Sequence, residues 1–111
     1  MKIFFVYIVQ CRDDSFYVGV TSNMNKRLIE HNLGIFPTAY TYTRRPVTLK
    51  WFEQFTDPES AFKTEKQLKG WSRRKKIALI EANWEKLIKY SKNYTEFGNN
   101  NGSPPDVSSR D

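Results

Sequence analysis

Ile3-Phe4-Phe5-Val6-Tyr7-Ile8-Val9, then Arg12-Asp13-Asp14-Ser15, then Phe16-Tyr17-Val18-Gly19-Val20 is the stretch whose reading decides the fold. The first run is apolar and aromatic throughout, the pattern of a strand covered on both faces. The acidic and hydroxyl residues after it are turn formers, because their short side chains bond the local backbone. The third run returns as a strand, so the first twenty residues predict a β-hairpin carrying Tyr7 and Tyr17. Turn length decides whether those tyrosines meet. Pairing Cys11 with Phe16 across four residues places them on opposite faces; a three- or five-residue turn, or one bulge, places them on the same face. Gly19 shares a face with Tyr17 and leaves room there for backbone or ligand to approach.

Outward from the hairpin, Thr21-Ser22-Asn23 supplies an N-cap for a helix from about Asn23 to Asn32, and Gly34 stops it. Residues 35–46 read as a polar, aromatic loop ending in Arg44-Arg45-Pro46, and Val47 to Phe55 as a third strand. Asp57-Pro58-Glu59 starts a second helix: Asp57 caps free N–H groups, Pro58 fits the first helical position, and Glu59 suits the positive end of the dipole. That helix ends near Gly70. Ser72 caps a third, with Ile77, Ile80 and Trp84 on one stripe, extended by Leu87 and Ile88 after a break at Asn83. The order is β-β-α-β-α-α, an α+β fold with a three-stranded sheet covered by helices. One domain spans 1–90, and the Asn-, Ser-, Gly- and Pro-rich stretch 91–111 reads as a mostly disordered tail.

Three groups of side chains stand out. Glu65 follows Ala61 and precedes Leu68 on one apolar helical stripe, and a buried carboxylate needs a cation, a hydrogen-bond network or water. A salt bridge to Lys69, a helix rotated to expose it, or a divalent cation would each satisfy it. Arg27 and the chain's single histidine, His31, are four apart on one helical flank. Arg27 offers a planar fork matched to phosphate, or it pairs with Glu30 while His31 packs at the edge. Lys63, Lys66, Lys69, Arg73, Arg74, Lys75 and Lys76 crowd one short segment against the single acid Glu65. With Lys26, Arg44 and Arg45 they suggest a phosphate-contacting field, and Trp71 with Tyr40 or Tyr42 could stack on unpaired bases.

Whole-chain properties narrow the classes. The chain has 111 residues, a formal net charge of +6 and 15% aromatic residues, with a pI near 9.5. That suits a packed basic domain with a polyanionic partner rather than a basic disordered arm. A lone cysteine, Cys11, makes no internal disulfide and reads as a small buried hydrophobe of a cytoplasmic protein. Ile3 to Val9 is too short for a signal peptide, and no stretch is long enough to span a bilayer. Membrane-surface binding ranks last, because the apolar helix faces are needed for the core. Two-metal carboxylate clusters, Gly-rich phosphate loops and Cys/His zinc patterns are missing from the sequence.

Val6-Tyr7-Ile8, Tyr17-Val18-Gly19, Arg27-Leu28-Ile29-Glu30-His31-Asn32 and Glu65-Lys66-Gln67-Leu68-Lys69-Gly70-Trp71-Ser72-Arg73 together resemble the GIY-YIG nuclease family, most closely its small stand-alone bacterial members. The likeness covers about residues 2–88. Phe5 stands where the first motif has glycine, and valine replaces isoleucine in both motifs.

The resemblance implies a DNA endonuclease acting in repair or processing with one divalent ion, Mg²⁺ or Mn²⁺, and no small-molecule cofactor. It makes Tyr7 and Tyr17 the motif tyrosines, Gly19 the second motif's glycine, Arg27 the phosphate-binding arginine and Glu65 the metal ligand. His31 falls where the family often has histidine, and Asn83 near a polar position after the last helix. Tyr17 or Tyr7 would take a proton from water, with His31 tuning or relaying it. DNA against RNA stays open, as does a dimer or protein partner. The alternative is a catalytically silent nucleic-acid-binding module of the same fold.

Overall fold

The computed structural model describes residues 2–83 and 85–89; the expected 91–111 tail lies outside them. Strands β1 (Phe4–Gln10), β2 (Phe16–Thr21) and β3 (Thr48–Phe55) and helices α1 (Met24–Leu33), α2 (Pro58–Lys69) and α3 (Arg73–Ile80) follow one another in the expected β-β-α-β-α-α order. The strands form an antiparallel sheet of order β2-β1-β3, so the most apolar strand is central. Val6, Tyr7, Ile8 and Val9 have no exposed surface. The chain packs as two compact units, Met1–Glu65 and the part beginning at Lys66.

The hairpin connection settles the parity question. Residues 11–15 make a five-residue link, closed by Cys11 N–H on the Ser15 carbonyl (2.8 Å) and Asp14 N–H on the Cys11 carbonyl (2.9 Å). Asp14 takes the left-handed conformation at φ 70°, as a type I turn with a bulge requires. Asp13 Oδ1 accepts from the Ser15 hydroxyl (2.6 Å) and the Ser15 N–H (3.1 Å), which pins the turn. The register then pairs Tyr7 with Gly19 and Val9 with Tyr17. Both tyrosines therefore face the same way.

A register shift between Ile8 and Val9 bulges β3, so Ile8 opposes Trp51 while Val9 opposes Leu49. The bulge turns Leu49 to the Tyr7 side of the sheet. There Tyr7, Val9, Cys11, Met24 and Val47 form a buried cluster, with Phe5, Tyr17, Leu28 and Leu49 packed around it. Helix α1 starts where Asn23 Oδ1 accepts from Lys26 N–H and ends at left-handed Gly34. Asn32 then clamps Val47, accepting from its N–H at 2.7 Å and donating to its carbonyl at 3.1 Å. That pair ties the end of α1 to the start of β3. Between them the expected loop contains a short 3-10 turn, Tyr42–Arg44, and a cis Arg45–Pro46 peptide.

In the first unit α2 begins as read, with Asp57 Oδ2 accepting from Ser60 N–H at 2.8 Å. In the second, Ser72 caps α3. The expected stripe of Ile77 and Ile80 is corrected: both are half-buried, whereas Lys75, Lys76, Ala78 and Leu79 are buried. Lysine stems carry enough methylene to fill an apolar face, which hydrophobic periodicity does not register. The helix stops at Ile80, because the chain turns at left-handed Ala82. Helical geometry resumes over 85–89, with Asn83 accepting from Lys86 N–H and Leu87 N–H, both at 3.1 Å.

Gly19 is required by the ring opposite it. A Cβ there would fall on the Tyr7 hydroxyl and lie 2.6 Å from its Cζ. Tyr7 is fully enclosed, so its ring has no space to yield. Gly19→Ala is expected to cost about 1–3 kcal/mol, as overpacking does, and less in a Tyr7→Phe background where the nearest atom is gone. Urea unfolding of the four-member cycle tests this; equal costs in both backgrounds would place the clash elsewhere.

Candidate active site

The first unit gathers five of the sequence-selected side chains near one point. Tyr7 projects from central β1, across Gly19, toward the inner face of α1. Its Oη lies 2.8 Å from His31 Nε2, and His31 Nδ1 lies 2.9 Å from Thr41 Oγ1. All three are buried: Tyr7 at 0%, Thr41 at 2% and His31 at 5% exposure. Tyr17 packs edge-on against His31 with ring centroids 5.6 Å apart, and 6.4 Å from Tyr7. Tyr17 is half-buried and so meets solvent on one side.

The Tyr7 pKa is raised to about 12, chiefly by burial, with Tyr17 and, less, Glu65 adding to the rise and the nearby Arg27 guanidinium opposing it. Tyr7 is thus a neutral phenol at physiological pH. His31 is held below its usual pKa, mainly by burial and then by the nearby Arg27 charge, against a smaller pull from Glu30. A neutral imidazole between two hydroxyls follows.

Arg27 is shared between roles. Its Nε donates to Glu30 Oε1 at 3.1 Å, while Lys26 approaches Glu30 Oε2 at 3.9 Å. Its guanidinium carbon lies 5.8 Å from the Phe36 ring centroid. The Glu30 pairing and the approach to Tyr7 both occur.

Glu65 is half-buried on the face of α2 that also presents buried Ala61 and Leu68, as the spacing predicts. It is the carboxylate whose charge reaches Tyr7. Among the described residues, no group of three or more His, Cys, Asp and Glu side chains is arranged to hold a metal. One carboxylate fits an ion whose other ligands are water and a substrate phosphate, as Mg²⁺ sites often are. The donor set therefore suits a substrate-carried hard cation and not a closed protein cage.

Several sequence-selected binding residues are placed differently from expectation. The space above Gly19 is filled by Tyr7 and is not open to a ligand. Trp71 is buried at 9% exposure, with its indole N–H enclosed and without a hydrogen-bond partner, so it offers no stacking face. Lys75 and Lys76 are buried at 3% and 5%; the Lys75 ammonium sits 4.4 Å from the Trp71 ring centroid. Burial lowers the Lys75 pKa to about 8. Lys26, Lys69, Arg73 and Arg74 are exposed as expected.

Arg44 and Arg45 are half-buried and engaged locally. Arg44 bonds Asp13 (3.1 Å) and the Tyr40 carbonyl (2.8 Å) and covers the Tyr40 ring at 3.8 Å. Tyr40 in turn stacks on Tyr17, with centroids 6.0 Å apart and planes at 17°. Arg45 bonds the Tyr42 carbonyl at 2.7 Å. These contacts hold the 35–46 loop against the hairpin turn, helped by Arg12 N–H on the Arg44 carbonyl at 2.9 Å.

A family model described as the GIY-YIG catalytic domain matches residues 3–78, which includes every residue of this constellation. The chain belongs to the GIY-YIG family. That family is nuclease-type, and the match agrees with the β-β-α-β-α-α order. A UPF0213 protein of Staphylococcus haemolyticus is 43% identical over 77 residues, 69% of this chain and 93% of that one. Another from Syntrophus aciditrophicus is 42% identical over 83 residues, 75% and 95% of the two chains. The solution NMR structure of a UPF0213 protein from Bacillus halodurans is 35% identical, covering 72% of this chain and 84% of that one at a TM-score of 0.48.

Within this GIY-YIG site, sequence reasoning missed Thr41 and the Asn32 clamp. A threonine in an aromatic loop carries no periodic signal, and its partner is ten residues away. Asn32 was visible only as the last letter of a motif.

Neutral His31 has a consequence for stability. Its folded pKa is depressed, so as pH falls through about 6.5 the unfolded chain takes up a proton first. Stability should rise with pH across this window and be lost on acidification below it, until the folded-state pKa is passed. The urea midpoint is expected to drop between about pH 7.5 and about pH 5.5, where carboxylates stay largely ionised. His31→Gln should flatten that dependence; an unchanged slope would place the titrating group elsewhere.

Proposed function

We propose that this protein is a divalent-metal-dependent DNA endonuclease of weak sequence specificity or structure selectivity, acting in DNA repair or processing in the cytoplasm. The observation that carries the reading is the convergence of Tyr7, Tyr17, Arg27, His31 and Glu65 within one unit. Neutral donors and acceptors in the same unit as a single half-buried carboxylate support this reading, since such a set would serve in-line hydrolysis of a phosphodiester.

Each residue then has a role. Glu65 would hold Mg²⁺ or Mn²⁺, and the bound ion would neutralise charge at the phosphate and the leaving 3′-oxygen. Arg27 places a guanidinium where negative charge grows on the phosphate, the position at which such a contact contributes most. Tyr17, the phenol that meets solvent, would act as its phenolate, its own proton having passed to solvent, and take the proton of the attacking water. Tyr7, sealed and protonated, does not meet water directly; with His31 it fixes the polar wall against which Tyr17 works. Attack in line with the leaving group yields a 5′-phosphate and a 3′-hydroxyl.

Exposed Lys26, Lys69, Arg73 and Arg74 supply phosphate contacts without sequence information. Arg44 and Arg45 act by shaping the loop. Buried Lys75, Lys76 and Trp71 contribute to the fold rather than to DNA. A surface this small makes DNA shape, a second copy or a partner protein the source of selectivity. No helix among the described residues is long and apolar enough to cross a membrane.

The test is a labelled panel of duplex, single strand, flap, splayed arm and four-way junction with Mg²⁺, Mn²⁺ or EDTA, with RNA counterparts. Metal-dependent cleavage is expected. Glu65→Ala should reduce it on the order of a hundredfold or more while sparing binding, since the ion supplies several kcal/mol. Tyr17→Phe should lose more activity than Tyr7→Phe. Salt-sensitive binding with no product on any substrate would replace the nuclease reading with a silent nucleic-acid-binding module.

A further inference from the structure

The hydrogen-bond chain through His31 has a direction, and the direction assigns a role to Thr41. Tyr7 is fully buried, so its hydroxyl hydrogen must be donated inside the protein. The nearby Arg27 guanidinium, whose charge reaches the phenol, has no acceptor to offer that hydrogen. The acceptor placed to take the Tyr7 hydrogen is His31 Nε2 at 2.8 Å. A neutral imidazole that accepts at Nε2 carries its proton on Nδ1. That N–H is aimed at Thr41 Oγ1, 2.9 Å away, which therefore accepts.

We infer that Thr41 is a positioning residue: it holds neutral His31 in the Nδ1–H form, so that the Nε2 lone pair faces Tyr7 and the phenol is locked for its place beside Tyr17. The order is Tyr7 to His31 to Thr41, each donating to the next. The bond that the non-substrate nitrogen makes fixes what the other nitrogen offers, as in other histidine sites. Every link sits on a different element: Tyr7 on β1, His31 on α1, and Thr41 at the N-cap of the 3-10 turn.

That turn is anchored independently of the imidazole. Arg44 N–H bonds the Thr41 carbonyl at 3.0 Å, and Tyr42 N–H bonds the Ala39 carbonyl at 3.0 Å. Arg12 Nη2 donates to the Thr43 carbonyl at 3.2 Å. The hydroxyl is consequently presented from a backbone that the hairpin turn already fixes. Serine can replace it, whereas valine matches its shape and removes the acceptor.

The catalytic part of this inference rests on the nuclease reading; the tautomer does not. His31 is the only histidine in the chain, so its ring nitrogens are unambiguous in a long-range ¹H–¹⁵N correlation of the full-length ¹⁵N-labelled protein at mildly alkaline pH. In the wild type Nδ1 is expected at the shift of a protonated ring nitrogen and Nε2 at that of an unprotonated one. Thr41→Val should move both toward a mixed or Nε2–H form, and Thr41→Ser should restore the wild-type pattern. A protonated Nε2 in the wild type would overturn the assignment without any variant, so a Thr41→Val chain that fails to fold leaves the test intact. Wild-type shifts retained in folded Thr41→Val would also overturn it.

Where the DNA panel provides a cleaved substrate, Thr41→Val should lower kcat about tenfold with KM little changed, and Thr41→Ser should recover it. An unchanged kcat would remove the catalytic role while leaving the tautomer result standing. A wild type that cleaves nothing would remove the nuclease reading, and the nitrogen shifts would still decide the Thr41 assignment.

Discussion

The 2.8 Å hydrogen bond between Tyr7 Oη and His31 Nε2 is the contact on which the rest of the first unit depends. It joins the central strand to the helix that covers it, inside a cluster that is otherwise apolar. A phenol and an imidazole can be buried together only when each satisfies the other and their remaining groups find partners. That requirement explains features that look unrelated. Gly19 lacks a side chain so that the Tyr7 ring can lie across β2. The loop after α1 returns so that a hydroxyl can reach the far side of the imidazole. The five-residue hairpin link sets a register that brings Tyr17 to the same face.

The fold was largely legible because its signals are local. An uninterrupted apolar run marked β1, Asn23 and Ser72 marked helix starts, Gly34 marked a stop, and Asp57-Pro58-Glu59 opened α2. Parity arithmetic reduced the tyrosine question to turn length, and the left-handed Asp14 settled it at five residues. What stayed hidden was set by contacts distant in sequence. The β3 bulge that sends Leu49 toward Tyr7 has no marker in Val47 to Phe55. The burial of Lys75 and Lys76 runs against their charge. A reading based on hydropathy assigned them to solvent and gave the inward role to Ile77 and Ile80.

The site was legible in part for the same reason. Glu65 on an apolar stripe, and Arg27 with His31 one turn apart, are anomalies that spacing alone exposes. Thr41 is no anomaly in sequence, since hydroxyls are ordinary in loops. It becomes informative only when it is found nearly inaccessible and facing a ring nitrogen. Arg44 and Tyr40 changed meaning in another way: cation and aromatic suggested a nucleic-acid surface, yet each occupies a face of the other's neighbourhood. Tyr40 stacks on Tyr17 and carries Arg44 over its ring, and Arg44 in turn bonds Asp13, so the column Tyr17–Tyr40–Arg44–Asp13 buttresses the loop against the hairpin turn.

Burial separates the two tyrosines into different chemical roles. The two phenols lie two positions apart in register on one face of the sheet, yet their surroundings differ. Here full enclosure holds Tyr7 as a neutral donor with a pKa near 12, while Tyr17 keeps a side toward water. A sealed phenol makes a poor base but a rigid reference point, because it cannot exchange partners with solvent. The imidazole behind it is likewise kept neutral by burial and by the Arg27 charge, so the wall carries dipoles of fixed direction and no mobile charge. Fixed charge around the site comes from Arg27 with its partner Glu30 and from Glu65. On the proposed nuclease reading, a phosphodiester would add its own negative charge to that balance, and a cation arriving with it would suit a site offering one carboxylate.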